Sequence, residues 1–326
     1  MKRRGFIALL GAVIAAATAR GQQRAAPHRI GLLMPSTASA TTNLVTAFEE
    51  GLREHGYLKG RDIVIEYRYS DDRPERIPDL AAGLAQARVA VIVTTTDAVV
   101  RTVMQHTAQV AIVMVNTSDP VGSGLVKELA KPGGRVTGLT NLSPEIGGKR
   151  IELLKEAIPQ MLRVVYLWNP DLAGAGQAYR EMEAAARRLR IEIRSAEVRR
   201  TEDIVVGFAA LPTGPGAGLL VQAPNPLLYT LRKQIADLAI ERRMPSMFNR
   251  HEYVEAGGLM SYGPNVADMY RRAGAYVDAI LKGRMPADLP VQQPTQFDLS
   301  INLKSAKACG LTIPPSLVLR ANRVVE

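Results

Sequence analysis

The chain has 326 residues, too many for one ordinary core and enough for two of about 150 residues each. A globular balance of 47% hydrophobic and 22% charged residues excludes a disordered or fibrous chain, and the lone Cys309 excludes a disulfide framework or a multi-cysteine zinc site. The net charge of +10 falls to +6 without the first 21 residues, since Lys2, Arg3, Arg4 and Arg20 lie there and leave 37 basic against 31 acidic residues; that remainder is dispersed among Asp and Glu, so no nucleic acid is expected as a partner.

Lys2-Arg3-Arg4 precedes an apolar stretch over 6–17. About a dozen residues fall short of the ~20 that span a bilayer as a helix. Basic head, short apolar run and small residues predict a cleaved export signal over 1–21, cut after Ala19 or after Gly21. Arg3-Arg4-Gly5-Phe6-Ile7 also resembles a twin-arginine signal, and both export routes stay open. No cysteine lies near the cut, so the mature protein is expected in the periplasm without a lipid anchor.

Downstream, buried-strand runs alternate with helical spacing. Strands are predicted over 29–34, 63–69, 89–93, 110–115 and 136–140, and helices over 41–55, 74–87, 97–106 and 121–130. The rhythm restarts with helices over 145–157, 177–189, 227–241 and 266–281. Strands fall over 164–168, 191–198, 217–221, 245–248 and 259–262. Near-continuous Val, Ile and Leu strands between helices predict an α/β protein of two doubly wound parallel-sheet lobes.

Such sheets bind ligands beyond the carboxyl ends of their strands. The residues there are short and polar: Pro35-Ser36-Thr37, Thr94-Thr95-Thr96-Asp97, Asn116-Thr117-Ser118-Asp119-Pro120 and Thr140-Asn141, then Trp168-Asn169-Pro170-Asp171, Ala223-Pro224-Asn225-Pro226 and Asn249-Arg250-His251-Glu252. Each alone serves as well to cap a helix or build a turn. No GxSxG elbow, GxxxxGK[ST] loop or HExxH occurs, and Gly214-Pro215-Gly216-Ala217-Gly218 precedes a strand where a dinucleotide loop would follow one. No nucleophile is set beside a base, so neither an enzyme nor a cofactor is expected.

Arg29-Ile30-Gly31-Leu32-Leu33, the segment Leu129-Ala130-Lys131-Pro132-Gly133-Gly134-Arg135-Val136-Thr137-Gly138-Leu139, the segment Glu252-Tyr253-Val254-Glu255-Ala256-Gly257-Gly258-Leu259-Met260-Ser261-Tyr262-Gly263 and the ending Leu311-Thr312-Ile313-Pro314-Pro315-Ser316-Leu317 carry a resemblance. In their order they resemble the ABC-transporter substrate-binding proteins of the tryptophan/tyrosine-binding type, which have a type I periplasmic-binding-protein fold. The resemblance implies two lobes joined by three crossovers, with a small molecule held between them and delivered to an ABC permease with a cytoplasmic ATPase. It places lobe one at 28–141 plus 264–290 and lobe two at 142–263 plus 291–326, in a monomer that meets the membrane only through the permease. The same scaffold can instead serve as a ligand-sensing module for a membrane signalling protein.

For an amino acid or similar zwitterion, Ser36, Thr37, Thr95, Thr96 and Ser118 are expected to donate to the carboxylate, with Asn141 on the same edge. Asp119 is the first expectation for the ammonium and Asp97 the second. Asn169, Asn225 and Glu252 would close from lobe two, and Trp168 or Tyr262 would offer an aromatic face. The competing reading is that Asp119 and Asn225 hold Asp-Pro and Asn-Pro turns and that Trp168 is core. Thr95-Thr96-Asp97 stands where the family often carries Gly-Thr-Pro, which adds a carboxylate that would seek an amine or repel an anion.

Overall fold

The computed structural model describes residues 26–141, 146–172, 175–209, 216–222 and 225–326. The export segment 1–21, Ser143, Gly214-Pro215 and Ala223-Pro224 lie outside the described residues.

The first sheet takes its strands from β1 (His28–Met34), β2 (Ile63–Tyr69), β3 (Val91–Thr95), β4 (Ala111–Thr117) and β5 (Val136–Thr140), all parallel in the order β2-β1-β3-β4-β5. Helices α1 (Thr42–Glu54), α2 (Ile77–Gln86) and α3 (Asp97–His106) make the crossovers. Strand alternation splits the core across the sheet. Ile30, Leu32, Met34, Val91 and Val93 pack with Phe48 and Leu52 of α1 on one face. Leu33 and Ile92 pack with Ile77 and Leu84 of α2 and with Val99 and Val103 of α3 on the other. Each such buried side chain contributes roughly 1.5–3 kcal/mol, and two covered faces explain why the strands read as unbroken apolar runs.

The second sheet follows from α4 (Ile146–Ala157), β6 (Arg163–Trp168), α5 (Ala175–Arg188), β7 (Glu192–Glu197), α6 (Glu202–Ala209), β8 (Ala217–Val221), α7 (Pro226–Thr230), α8 (Arg232–Glu241), β9 (Ser246–Phe248), α9 (His251–Glu255) and β10 (Met260–Pro264). The chain then leaves for α10 (Val266–Leu281), whose Met269, Tyr270, Ala273 and Val277 join the α1 face of the first sheet. It returns as β11 (Phe297–Asn302), α11 (Leu303–Ala308), α12 (Pro315–Arg320) and β12 (Arg323–Val325), giving the order β12-β11-β10-β9-β8-β6-β7.

Three expectations need correction. The 121–130 segment is a run of turns. Gly124 adopts φ +70°, and the Asp119 carboxylate accepts from the Gly122 N–H at 2.8 Å, so local bonding holds the chain out of a helix while Leu125 and Val126 still enter the core. The helix expected over 227–241 is two, α7 and α8, meeting at Leu231 (ψ 10°). The second sheet is not wholly parallel: β11 runs antiparallel to β10, from Met260 opposite Ile301 to Pro264 opposite Phe297. The chain re-enters that lobe at the carboxyl edge of the sheet, so its next strand must run backwards.

Three passages thus connect the sheets: after β5, between β10 and α10, and between Leu289 and β11. The last two are bonded to each other, and the third also to the end of β5. The Asn265 N–H donates to Gln296 O at 3.0 Å, and Gln292 exchanges two 3.0 Å bonds with the β5 backbone at Thr140 and Gly138. From α10, Arg272 donates to Thr295 Oγ1 at 3.1 Å and to Gln292 Oε1 at 2.5 Å. From α4, Arg150 Nε donates to Tyr262 O at 2.7 Å.

Candidate functional site

On the carboxyl edge of the first sheet the chain makes a series of strained turns. Asp71 and Asp72 (φ 55° and 58°), Thr96 (61°) and Asn116 (59°) all have left-handed backbone, each just past the end of β2, past the end of β3 or near the end of β4. For β-branched Thr96 this costs on the order of 1–3 kcal/mol, and such strain gathers where a backbone is held for a purpose. What holds it is specific. Asn141 Nδ2 donates to Asn116 Oδ1 at 2.9 Å, and the Asp72 N–H and Ser70 Oγ both donate to Pro35 O, at 2.8 and 2.6 Å.

The expected donors and acceptors take varied places here. Asp97 Oδ2 accepts from the Ser118 N–H at 2.7 Å, and its Oδ1 from the Asp119 N–H at 3.3 Å and from Ser123 Oγ at 3.1 Å. The structure therefore brings Asp97, Ser118 and Asp119 together as one loop clamp. Thr96 Oγ1 caps α3, accepting from the Val99 N–H at 3.5 Å. Thr37 Oγ1 accepts from the Ala40 N–H at 3.3 Å, while half-buried Ser36 beside it makes no hydrogen bond among the described residues. Thr95 is buried; the Tyr270 hydroxyl, which burial pushes well above the ordinary phenol range, donates to Met34 Sδ at 3.5 Å.

On the second edge, buried Gln222 joins two expected residues, its Oε1 accepting from the Asn169 N–H at 2.8 Å and from Asn225 Nδ2 at 2.9 Å. Asn225 Oδ1 caps α7 through the Leu228 N–H at 3.1 Å. Trp168, only 8% exposed, stacks on Tyr179 with centroids 4.8 Å apart and donates from Nε1 to Ser195 Oγ at 2.7 Å. Half-buried Tyr262 stacks separately, on Phe297 at 5.7 Å.

Sequence reasoning passed over the cations. Arg250, in extended conformation between β9 and α9, makes a two-pronged ion pair with Glu252 and lies over the Tyr229 ring, 4.8 Å from its centroid. Arg232 lies 4.7 Å from the same centroid and donates to Tyr229 O at 3.0 Å. Burial works to raise the Glu252 carboxyl, but the Arg250 guanidinium outweighs it and holds the group below its usual range. The only sequence signal was position, since Arg250 sits in a loop after a strand. Arg150 gave none: it is 6% exposed, with its guanidinium lowered by burial to about 10.

The two edges feel one another. Burial and Glu252 push the Tyr229 hydroxyl upward, and Asp72 of the first edge adds to that. In return the Arg250 charge acts on the Tyr270 hydroxyl of the first lobe. Among the described residues no group of His, Cys, Asp and Glu could hold a metal, and no helix is long and apolar enough to cross a membrane.

Known proteins share this architecture. An ABC domain from Streptococcus pneumoniae in complex with L-Trp superposes with a TM-score of 0.79 at 23% identity, over 92% of this chain and 100% of that one. The ligand-free, open structure of CD0873, a substrate binding protein with adhesive properties from Clostridium difficile, gives 0.78 at 22% identity over 91% and 99%. A conserved domain protein from Vibrio cholerae gives 0.77 at 25% identity over 92% and 100%. In sequence, a tyrosine-binding protein of Clostridioides difficile is 23% identical over 265 residues, 81% of this chain and 75% of that protein. These likenesses carry the type I periplasmic-binding-protein fold. The family model for ABC transporter substrate binding proteins matches residues 29–325. With nearly the whole described chain inside that match, the protein belongs to the ABC transporter substrate-binding family.

Proposed function

We propose that this protein captures an amino acid, aromatic or of similar size, between its two lobes in the periplasm and delivers it to an ABC permease driven by a cytoplasmic ATPase. The observation that carries the reading is the family match over residues 29–325, on a fold whose two sheets each present a polar carboxyl edge. Zwitterions suit the second edge, where Arg250 and Glu252 offer both charges side by side. Lobe one is taken as 28–141 plus 264–290 and lobe two as 142–263 plus 291–326. The ligand is taken to lie between Ser36, Thr37, Ser118 and Asn141 on one side and Asn169, Glu252 and Tyr262 on the other, with Thr95, Thr96, Asp97, Asp119, Trp168 and Asn225 holding the two edges in shape. Residues 1–21 direct export and are removed, without a lipid anchor. A relative in complex with L-Trp and another named for tyrosine support the aromatic class.

Thermal unfolding of the mature protein with each of the twenty common amino acids tests this. A ligand at 100 times its Kd stabilises by about 2.7 kcal/mol. L-Tryptophan or L-tyrosine is expected to raise the midpoint; no rise with any amino acid would overturn the reading.

A further inference from the structure

Arg250 and Glu252 stand two residues apart at the carboxyl edge of the second sheet, and their fork-to-carboxylate pairing is the geometry in which arginine receives a free carboxylate. Side-chain exposures of 36% and 23% leave both partly open to solvent, and the His251 ring nitrogen stands 3.6 Å from the same carboxylate. The Tyr229 ring lies against the guanidinium, restricting how it can turn, and Arg232 keeps a second positive charge on the same ring. On the first edge Asp97 and Asp119 are engaged within their own loop, each accepting from a backbone N–H.

We infer that Arg250 and Glu252 together receive the charged head of an α-amino acid, the ligand's carboxylate taking Arg250 and its ammonium taking Glu252. The inference rests on the reading of the preceding section and gives it a head-group mechanism. Parting a half-buried ion pair is costly when either charge is left alone. An amino-acid zwitterion brings both complements in one small molecule, so the pair opens around it and every charge remains compensated. An amine alone would satisfy Glu252 and strand Arg250; an acid alone would do the reverse. The pair is therefore a filter for molecules carrying both charges on neighbouring atoms. Until a ligand arrives, each residue fills the other's binding position and keeps simple anions and cations out.

Calorimetric titration of the mature protein tests this with two ligand series: L-tryptophan, tryptamine and indole-3-propionate, and L-tyrosine, tyramine and 3-(4-hydroxyphenyl)propionate. The wild type is expected to bind an amino acid at least tenfold more tightly than either single-charge analogue. Glu252→Gln should weaken the amino acid at least tenfold yet strengthen the acid, because Arg250 is released; Arg250→Gln should give the opposite crossing in favour of the amine. A purely structural pair would weaken all three ligands together. Equal losses, or no change, in the variants would overturn the inference while leaving the amino-acid reading intact. A wild type that binds neither series, and whose unfolding midpoint no amino acid raises, overturns both. Should Arg250→Gln fail to fold, the wild-type ranking and the Glu252→Gln crossing decide the question.

Discussion

Gly51 and Gly274 meet backbone to backbone where α10 crosses α1. A Cβ on Gly274 would fall 2.5 Å from the Gly51 carbonyl carbon, and one on Gly51 would fall 1.9 Å from Arg271 O. Through this contact a helix supplied late in the chain seals a lobe begun at β1.

Gly274→Ala is therefore expected to destabilise by about 1–3 kcal/mol, since backbone cannot yield as a side chain can. Gly83→Ala, in the open interior of α2 with nothing within 4 Å of the added methyl, should instead stabilise by about 0.4–1 kcal/mol. Chemical denaturation of the two variants checks both signs. A neutral Gly274→Ala would mean that the helices can slide apart.

Asp97→Asn removes the charge that gathers three donors of the 118–123 turn. Hydrogen bonds to a charged group contribute about 1.5–3 kcal/mol, so the Ser118 and Asp119 amides should exchange with solvent at least tenfold faster. Hydrogen-exchange mass spectrometry of the segment reads this. Unchanged exchange would assign the turn's order to Pro120 and its own bonds alone.

Trp168 is the protein's single tryptophan, so its fluorescence reports on one place in the second lobe. Iodide should quench it weakly in the ligand-free protein. Ser195→Ala removes the indole N–H's acceptor at an exposed position that water can reach, and should lower stability by about 0.5–1.5 kcal/mol. Denaturation followed at Trp168 measures it, and strong quenching would contradict the packing on Tyr179.

Stability should fall in acid. The folded state holds Glu252 low against the burial that would raise it, through Arg250; Glu49 and Asp278 are likewise held low against burial, Glu49 by Tyr67 and Lys59 and Asp278 by Lys282 and Tyr57. Groups with depressed folded values contribute fully above the unfolded carboxylate range, near 4, and lose that contribution as pH drops through the folded values. Unfolding midpoints between pH 6 and pH 3 should fall, and Glu252→Gln should fall less steeply. An identical slope in the variant would show that the pair adds nothing to stability.

The first lobe was readable because its strands are covered on both faces, which writes them as unbroken apolar runs such as Ile30 to Met34. The helix over 266–281 was readable from its amphipathic spacing and from Gly283 beyond its end. β11 was passed over although Phe297, Leu299 and Ile301 alternate with Asp298, Ser300 and Asn302, because the run begins just after Pro294 and holds polar residues that the sheet later buries. At the site, sequence could place polar residues on the right edges without saying which were spent. Asp97 points to its own loop, Asn225 caps a helix and Trp168 sits against Tyr179, all contacts made by folding. Arg250 and Tyr229 are 21 positions apart, and no periodicity joins them.

The bonding of the second and third passages to each other and to the end of β5 has a mechanical meaning. Three independent tethers would let the lobes twist, shear and bend separately. Here the second passage is fastened to the third at Asn265, the third to the end of β5 at Gln292, and arginines from helices on either side grip the strap. A strap so fastened resists torsion and sideways slip and leaves one soft coordinate, flexure across its width. Any ligand that draws the two edges together thus does so along a single path, and both edges arrive in the same alignment on every closure.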